Sequence, residues 1–449
     1  MQNWLVMVLI SLSVSLVNGE SWRYLDVENG ALPDNSIQKI YFDDDGSVWF
    51  CTIDTGLIHF ENGSYEVINP VEDGNWSSRF FNDIVKSPSG VYWVATEYKG
   101  LLRFKNGKWT QFFPTFSDRK FEHLRVLALE KGGPENGGAI WIGTWSEGIY
   151  RFDGNNFQAY STQEGVLPSC NVFDIKVEEN PDPNKDERVV WIGTSDGLIR
   201  YDGESWENFP INGKTDKWVN AIALENGGTL FSNGKMYIGT ESGEFIIYDG
   251  SNWEIFNISD PWNPNTAVTD IEIDRNGVKW FGTDKQGLGM YDETQLLLYY
   301  KSNSGIRGDN VIDLALREFS DSLEVWCSVY DFESGYSGIS IYTVSPTGIE
   351  DGIVLHPDEI QLLSNFPNPF NPSTTITYMI PGAGHVSLNI YNVMGQRVRA
   401  LVDGYRDVGI YKVIWDGKND KGYMVPTGVY FYQLRMGNIS RTRKMVLIR

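Results

Sequence analysis

The chain has 449 residues, 41% of them apolar, enough for two or three domains with sizeable cores. Its net charge is −22, yet residues 357–449 carry 11 Lys and Arg against 6 Asp and Glu, so the remainder holds 26 basic and 53 acidic residues. An acidic body argues against nucleic acid as a partner, because phosphate contacts need clustered Lys and Arg. The 46 Gly, 16 Trp, 23 Tyr and 23 Phe suit short strands and tight turns rather than helices.

Residues 1–19 read as a signal peptide. Leu5 to Val17 is apolar or small, and Val17-Asn18-Gly19 supplies small residues at a cleavage point after Gly19. The stretch before Leu5 has no Lys or Arg, so its positive charge is the α-amine alone. The apolar run is short for a membrane span, and no other segment approaches about 18 apolar residues. The mature chain is therefore expected to be soluble or held by its tail. Cys51, Cys170 and Cys327 are odd in number and far apart, so free thiols are expected rather than a disulfide framework. With only four scattered histidines, no metal site and no cofactor are expected.

Between residues 20 and 352 one phrase recurs: an apolar strand, Trp-x-Gly-Thr, a Gly turn, an aromatic strand, Asp-Gly, then Trp or Phe. Its anchors are Trp49, Trp93, Trp141, Trp191, Tyr237, Trp280 and Trp326, spaced by 44, 48, 50, 46, 43 and 46 residues. A period in the mid-forties with four short strands, a to d, is the length of one propeller blade. Asn62-Gly63, Asn106-Gly107, Asp153-Gly154, Asp202-Gly203 and Asp249-Gly250 are placed to join strands c and d by type I′ turns. The period of two puts Trp191 and Gly193 on one face of strand b, the glycine leaving room for a neighbouring blade. A single blade cannot bury both its apolar faces, so a ring of seven must close. Repeat seven lacks an obvious strand d before Pro346, while Ser21-Trp22-Arg23-Tyr24-Leu25 has the pattern of one to spare. That segment is expected to complete the last blade.

These repeats resemble the two-component regulator propeller repeat of periplasmic sensors of hybrid histidine kinases. The resemblance covers residues 21–345 and is strongest in repeats two to five; repeat six loses its Asp-Gly turn and repeat seven has Ser328-Val329 for Gly-Thr. Those sensors continue into a membrane helix and a kinase, and neither is expected here. Binding residues in such a ring belong on the b–c and d–a loops at one mouth of the channel. The candidates there are Phe80, Tyr98, Arg125, Trp145, Asn171, Trp218, Lys285 and Asn310, with Trp76, Phe116 and Trp262 in longer loops. Aromatics off the anchor positions suit stacking on sugars or peptides, although packing within the loops would also account for them. Asp174 and Asp270 on inner strands form a carboxylate pair that could line a polar channel. Asp43-Asp44-Asp45-Gly46 lacks the spacing of a calcium loop and reads as a turn.

Residues 353–361 read as a linker. Asn365-Phe366-Pro367-Asn368-Pro369-Phe370-Asn371-Pro372 is a turn-rich lead-in. Six alternating runs follow: 375–380, 386–391, 397–401, 411–415, 429–434 and 444–448. They predict a small Ig-like β-sandwich over 362–449. This tail resembles the C-terminal sorting domain of the type IX (Por) secretion system and the Ig-like domain of flagellar hook-assembly proteins. The matching residues are Asn365, Pro367, Asn368, Pro369, Phe370, Asn371, Pro372, Ile390-Tyr391-Asn392, Trp415-Asp416-Gly417, Gly428-Val429-Tyr430 and Lys444. The resemblance implies export to the outer surface through outer-membrane secretion machinery.

The expected fold is all-β: a seven-bladed β-propeller followed by a small Ig-like sandwich. The expected function is a secreted or surface binding module, monomeric, for an extracellular glycan, peptide or surface protein. The rivals are a secreted carbohydrate-active lyase or hydrolase working in the central pocket, and a periplasmic sensor acting with a separate kinase. No nucleophile motif, zinc signature or phosphate loop favours the enzyme.

Overall fold

Alternating apolar residues joined by glycine turns set the chain into strands almost throughout. The computed structural model describes residues 15–17, 20–68, 80–114, 121, 123–162, 166–180, 182, 187–228, 234–258, 266–293, 296–344, 360–362, 365, 370–380, 383–406 and 409–448. Seven antiparallel sheets form a seven-bladed propeller. Their inner strands a are Ile37–Phe42, Phe81–Lys86, Leu124–Glu130, Val172–Glu179, Val219–Leu224, Val268–Ile273 and Asn310–Glu318. Each packs against the next, and the seventh packs against the first. The ring is closed by the segment expected to do so: Glu20–Leu25 pairs antiparallel with Ser337–Val344 as the outer strand of blade seven. Trp22 and Leu25 are buried there, and Trp22 stacks on Tyr342 at 5.0 Å. Ser15–Val17, inside the stretch read as a leader, adds a short strand beyond it.

The recurring phrase has a physical reason at each position. The anchor aromatics are buried, from Trp93, Trp141 and Trp191 at 0% exposure to Trp49 at 5%. The glycine after them faces the first residue of the next blade. A methyl at Gly193 would lie 2.8 Å from the Val219 carbonyl, and one at Gly239 would lie 2.5 Å from the Val268 side chain. Blades one, two and seven place the small residues Cys51, Ala95 and Ser328 at this position, all buried. Ser328 donates from its hydroxyl to the Ile37 carbonyl of the next blade at 2.7 Å. The threonine then closes the b–c turn: Thr52, Thr96, Thr144, Thr194 and Thr283 donate to a glycine carbonyl at 2.8–2.9 Å.

The hairpins between strands c and d divide into two kinds. Asn62-Gly63 and Asn106-Gly107 have φ of 50° and 76°, and 53° and 72°, the type I′ pattern. The Asp-Gly turns differ from the expected type I′ geometry, since only Gly154, Gly203 and Gly250 have positive φ there. These are four-residue loops in which an Asp carboxylate accepts two backbone N–H groups, as Asp202 does from Glu204 and Ser205 at 3.0 and 2.8 Å. A carboxylate offers the backbone a local acceptor that widens the turn, and those bonds hold Asp202 down to about 2.

The tail forms a two-sheet Ig-like sandwich. One sheet orders Gln361–Leu362, Thr374–Ile380 and Gly409–Trp415; the other orders Arg397–Arg406, Gly384–Asn392, Gly428–Met436 and Ile439–Leu447. Its core includes Phe370, Tyr378, Trp415 and Tyr432. Ile360 is buried in the same core, so residues of the expected linker's end pack with the sandwich. Cys51 and Cys327 are buried thiols and Cys170 is half-buried.

Candidate functional site

All seven inner strands carry a β-bulge near their start, between the first and third residues in six of them and between the second and fourth in Asn310–Glu318. The surplus residues are Gln38, Asn82, Arg125, Phe173, Asn220, Thr269 and Ile312. A bulge re-aims the side chain it inserts, and all seven line a central cavity of about 880 Å³. Above them the ladder continues by one rung. The residue after each b-strand threonine donates its N–H to the carbonyl just before strand a: Glu97 to Phe80, Trp145 to His123, Glu241 to Trp218 and Asp284 to Ala267, at 3.0–3.1 Å. These paired residues form the cavity mouth.

One side of the mouth gathers aromatic and charged groups. The Arg125 guanidinium lies 4.2 Å from the centre of the Phe173 ring and 4.8 Å from that of Trp145. Phe173 in turn meets Trp145 at 5.8 Å and Trp218 at 5.2 Å. Trp145 is 50% exposed and Trp218 39%, so their surfaces are open to a ligand. Beside them, Glu97 accepts from Asn82 at 3.0 Å and pairs with the His123 ring, and Glu241 accepts from Asn220 at 2.8 Å. Burial lowers Arg125 to about 10, against the opposing pull of Glu241 and Glu97.

Deeper in the cavity the residue after the bulge is Asp in four blades, and each Asp staples two blades. Asp83, Asp174, Asp270 and Asp313 accept the backbone N–H of Leu127, Ile222, Leu314 and Ile40 of the following blade, at 2.7, 2.7, 3.1 and 2.8 Å. Lys39 bonds Asp313 at 2.8 Å, and Lys176 lies 3.6 Å from Asp174. Burial pushes Asp83 up to about 6, with Lys39 pulling the other way. Burial also opposes the Lys39 charge, but Asp313, Asp270, Asp83 and Glu272 outweigh it and raise its pKa. Asp174 and Asp270, read from sequence as a carboxylate pair, thus each hold two backbone N–H groups, one on their own strand and one on the next blade.

Of the residues singled out in the sequence, Phe80, Arg125, Trp145, Trp218 and Asn310 line the cavity. Tyr98, Asn171 and Lys285 do not. Tyr98 and Lys285 follow the mouth positions Glu97 and Asp284 by one residue: Tyr98 packs edge-on to His123 at 5.3 Å, and Lys285 sits 3.3 Å from Asp284. Asn171 carries its blade's rung through its carbonyl, which accepts from Ser195. Glu97, His123, Phe173, Asn82 and Asn220 were missed; the bulge, which shifts the alternation by one, is the signal that finds Asn82, Phe173 and Asn220. Trp76, Phe116 and Trp262 lie outside the described residues. In the tail, Asn365 is buried and bonds Tyr432 and Thr374 at 2.9 Å, and Phe370 is buried with its backbone bonded to Val446 and Ile448 at 3.0 Å. Asn371, Pro372 and Lys444 are exposed, while Pro367, Asn368 and Pro369 lie outside the described residues. No helix among the described residues is long and apolar enough to cross a membrane.

The FlgD Ig-like domain model matches residues 371–438, and the two component regulator propeller model matches residues 31–54. No curated protein matches. Among solved structures, PorZ, a surface component of the type-IX secretion system of Porphyromonas gingivalis, is 16% identical with a TM-score of 0.51, over 93% of this chain and 60% of that one. The extracellular domain of a hybrid two component system from B. thetaiotaomicron is 15% identical with a TM-score of 0.55, over 95% and 57%. A virginiamycin B lyase from Staphylococcus aureus is 14% identical with a TM-score of 0.50, over 72% and 99%. The chain thus spans about three fifths of the first two proteins. At these identities the likeness is one of fold. The chain joins a seven-bladed propeller, matched by the two component regulator propeller model over residues 31–54, to an Ig-like sandwich matched by the FlgD Ig-like domain model over residues 371–438.

Proposed function

We propose that this chain is an extracellular binding module whose ligand seats at the aromatic side of the propeller mouth, and that its tail serves export to the cell surface. The observation that carries the reading is the open cluster of Arg125, Trp145, Phe173 and Trp218 over an 880 Å³ cavity. Exposed tryptophans beside amide and carboxylate groups fit the stacking and hydrogen bonding of an extracellular glycan, or of a peptide or surface protein. The test is a glycan and peptide array with the whole chain and with Trp145→Ala/Trp218→Ala together. Binding that survives the double variant sinks this choice of face.

The export reading rests on the leader-like residues 1–19 and on the tail's similarity to sorting and hook-assembly Ig-like domains. Deleting residues 360–449 should leave the protein in the periplasm; normal surface delivery of the deletion would overturn it. A carbohydrate-active enzyme is the second reading, favoured by the Glu97–His123 pair at the mouth, since a carboxylate orienting an imidazole is a common acid–base arrangement. Release of reducing or unsaturated ends from a bound polysaccharide would decide for it. The sensor reading, with a separate kinase as partner, rests on the likeness to extracellular sensor domains.

A further inference from the structure

Three of the four basic side chains lining the cavity have a carboxylate at hand. Lys39 has Asp313, Lys176 has Asp174 and His123 has Glu97. Arg125 is the exception: among the described residues its guanidinium makes neither an ion pair nor a hydrogen bond, and is held by stacking on Phe173 and Trp145. Stacking fixes the plane of the guanidinium while leaving its forked N–H donors available. A charge desolvated this far with no carboxylate in contact is costly, and burial accordingly depresses its pKa.

We propose that Arg125 reads a carboxylate on the bound ligand, and that the ligand is an oligosaccharide containing a uronic acid. This rests on the binding reading above and deepens it. A planar carboxylate matches the guanidinium fork with two parallel hydrogen bonds. The sugar ring carrying it would lie against Trp145 or Trp218, within reach of the Asn220 and Glu241 side chains that suit its hydroxyls. A single negative charge fits best, because Glu97 and Glu241 flank the site and the acidic belt of Asp83, Asp174, Asp270 and Asp313 lies beneath it. A sugar is favoured over an extended peptide by the inner strands. Four of the backbone N–H groups that an added strand would seek there are already taken by those aspartates.

The experiment uses an array of oligosaccharides containing galacturonate, glucuronate, mannuronate or guluronate, each beside its carboxyl-reduced neutral counterpart, followed by calorimetry with the whole chain. The uronate form of at least one pair should bind on the order of tenfold tighter than its neutral partner. Arg125→Gln should erase that preference, so that the uronate and neutral forms bind alike, and Arg125→Lys should restore it in part. An unchanged thermal midpoint shows that each variant folds. Neutral sugars that bind equally well, with binding lost in Trp145→Ala/Trp218→Ala, would overturn the carboxylate assignment and leave the binding reading standing. If no sugar binds and a peptide does, the ligand class is wrong; if nothing binds, both readings fall.

Discussion

Single side chains in this ring act across blades, and two of them make measurable cases. Glu130 is 1% exposed, accepts from Arg151 at 2.7 and 2.9 Å and from Trp141 at 2.8 Å, and has Arg188 at 3.1 Å. Glu130→Gln takes away the carboxylate charge that Arg151 bonds twice, and should cost about 3 kcal/mol in urea unfolding. Asp83, raised to about 6 mainly by burial, is a different case. Its folded pKa lies above the unfolded value of about 3.9, so the folded state takes up the proton first. Its contribution to stability therefore falls as pH rises from about 4 to about 6, and the penalty is complete above that. Asp83→Asn cannot titrate. Relative to it, the natural protein should gain about 2 kcal/mol between pH 7 and pH 4.5; parallel stability curves for the two would refute the assignment. The sequence announced these residues unevenly. Anchor tryptophans and glycines repeat, so they were legible. The mouth was legible only in part, because a bulge inserts a residue without changing the composition around it. Tyr98 and Lys285 were chosen in place of their neighbours Glu97 and Asp284 because the ladder runs one rung past the strand-b threonine.

Strands obey rules that composition and spacing reveal, and so the blades were readable before their contacts were known. Glu20–Leu25 is the clearest example: a spare aromatic strand at one end of the repeat array met a missing one at the other. Trp22→Ala should cost about 4 kcal/mol, as for other fully buried aromatic truncations. Removing residues up to 34 should lower the melting temperature by more than about 10 °C, since an outer strand and five buried apolar side chains go with them. An unchanged melt would mean that the ring does not depend on this closure. Gly193 tests the packing between blades. Gly193→Ala forces a methyl to within 2.8 Å of backbone, which cannot rotate away, and should destabilise by about 2 kcal/mol. The blade-two equivalent is already Ala95, buried without difficulty, so the cost belongs to the local approach of Val219 and not to the repeat position as such. The Asp-Gly turns show the limit of pattern reading: the same dipeptide slot gives a two-residue turn with Asn and a four-residue loop with Asp.

At the scale of the chain, the propeller and the tail have separate hydrophobic cores among the described residues, the tail's running from Ile360 to Leu447. They also differ in charge, acidic before residue 357 and basic after it. Calorimetry should resolve two transitions, and Trp415→Ala, at a fully buried tail position, should lower one of them and leave the other within about 1 °C. A single transition that moves as a whole would show that the two units melt together. The seven bulges carry a consequence for engineering. Asn82 and Thr269 spend their side chains on carbonyls of the next blade, at 2.7 Å each. Gln38, Arg125, Phe173, Asn220 and Ile312 do not, and the ladder around them is complete without their side chains. Those five positions form a paratope in all but name: three on neighbouring blades and two on the adjoining first and seventh, pointed at one opening, and carried on backbone that is fixed elsewhere. Randomising them together would vary what the ring captures while its scaffold stays constant, as loops do on an antibody framework.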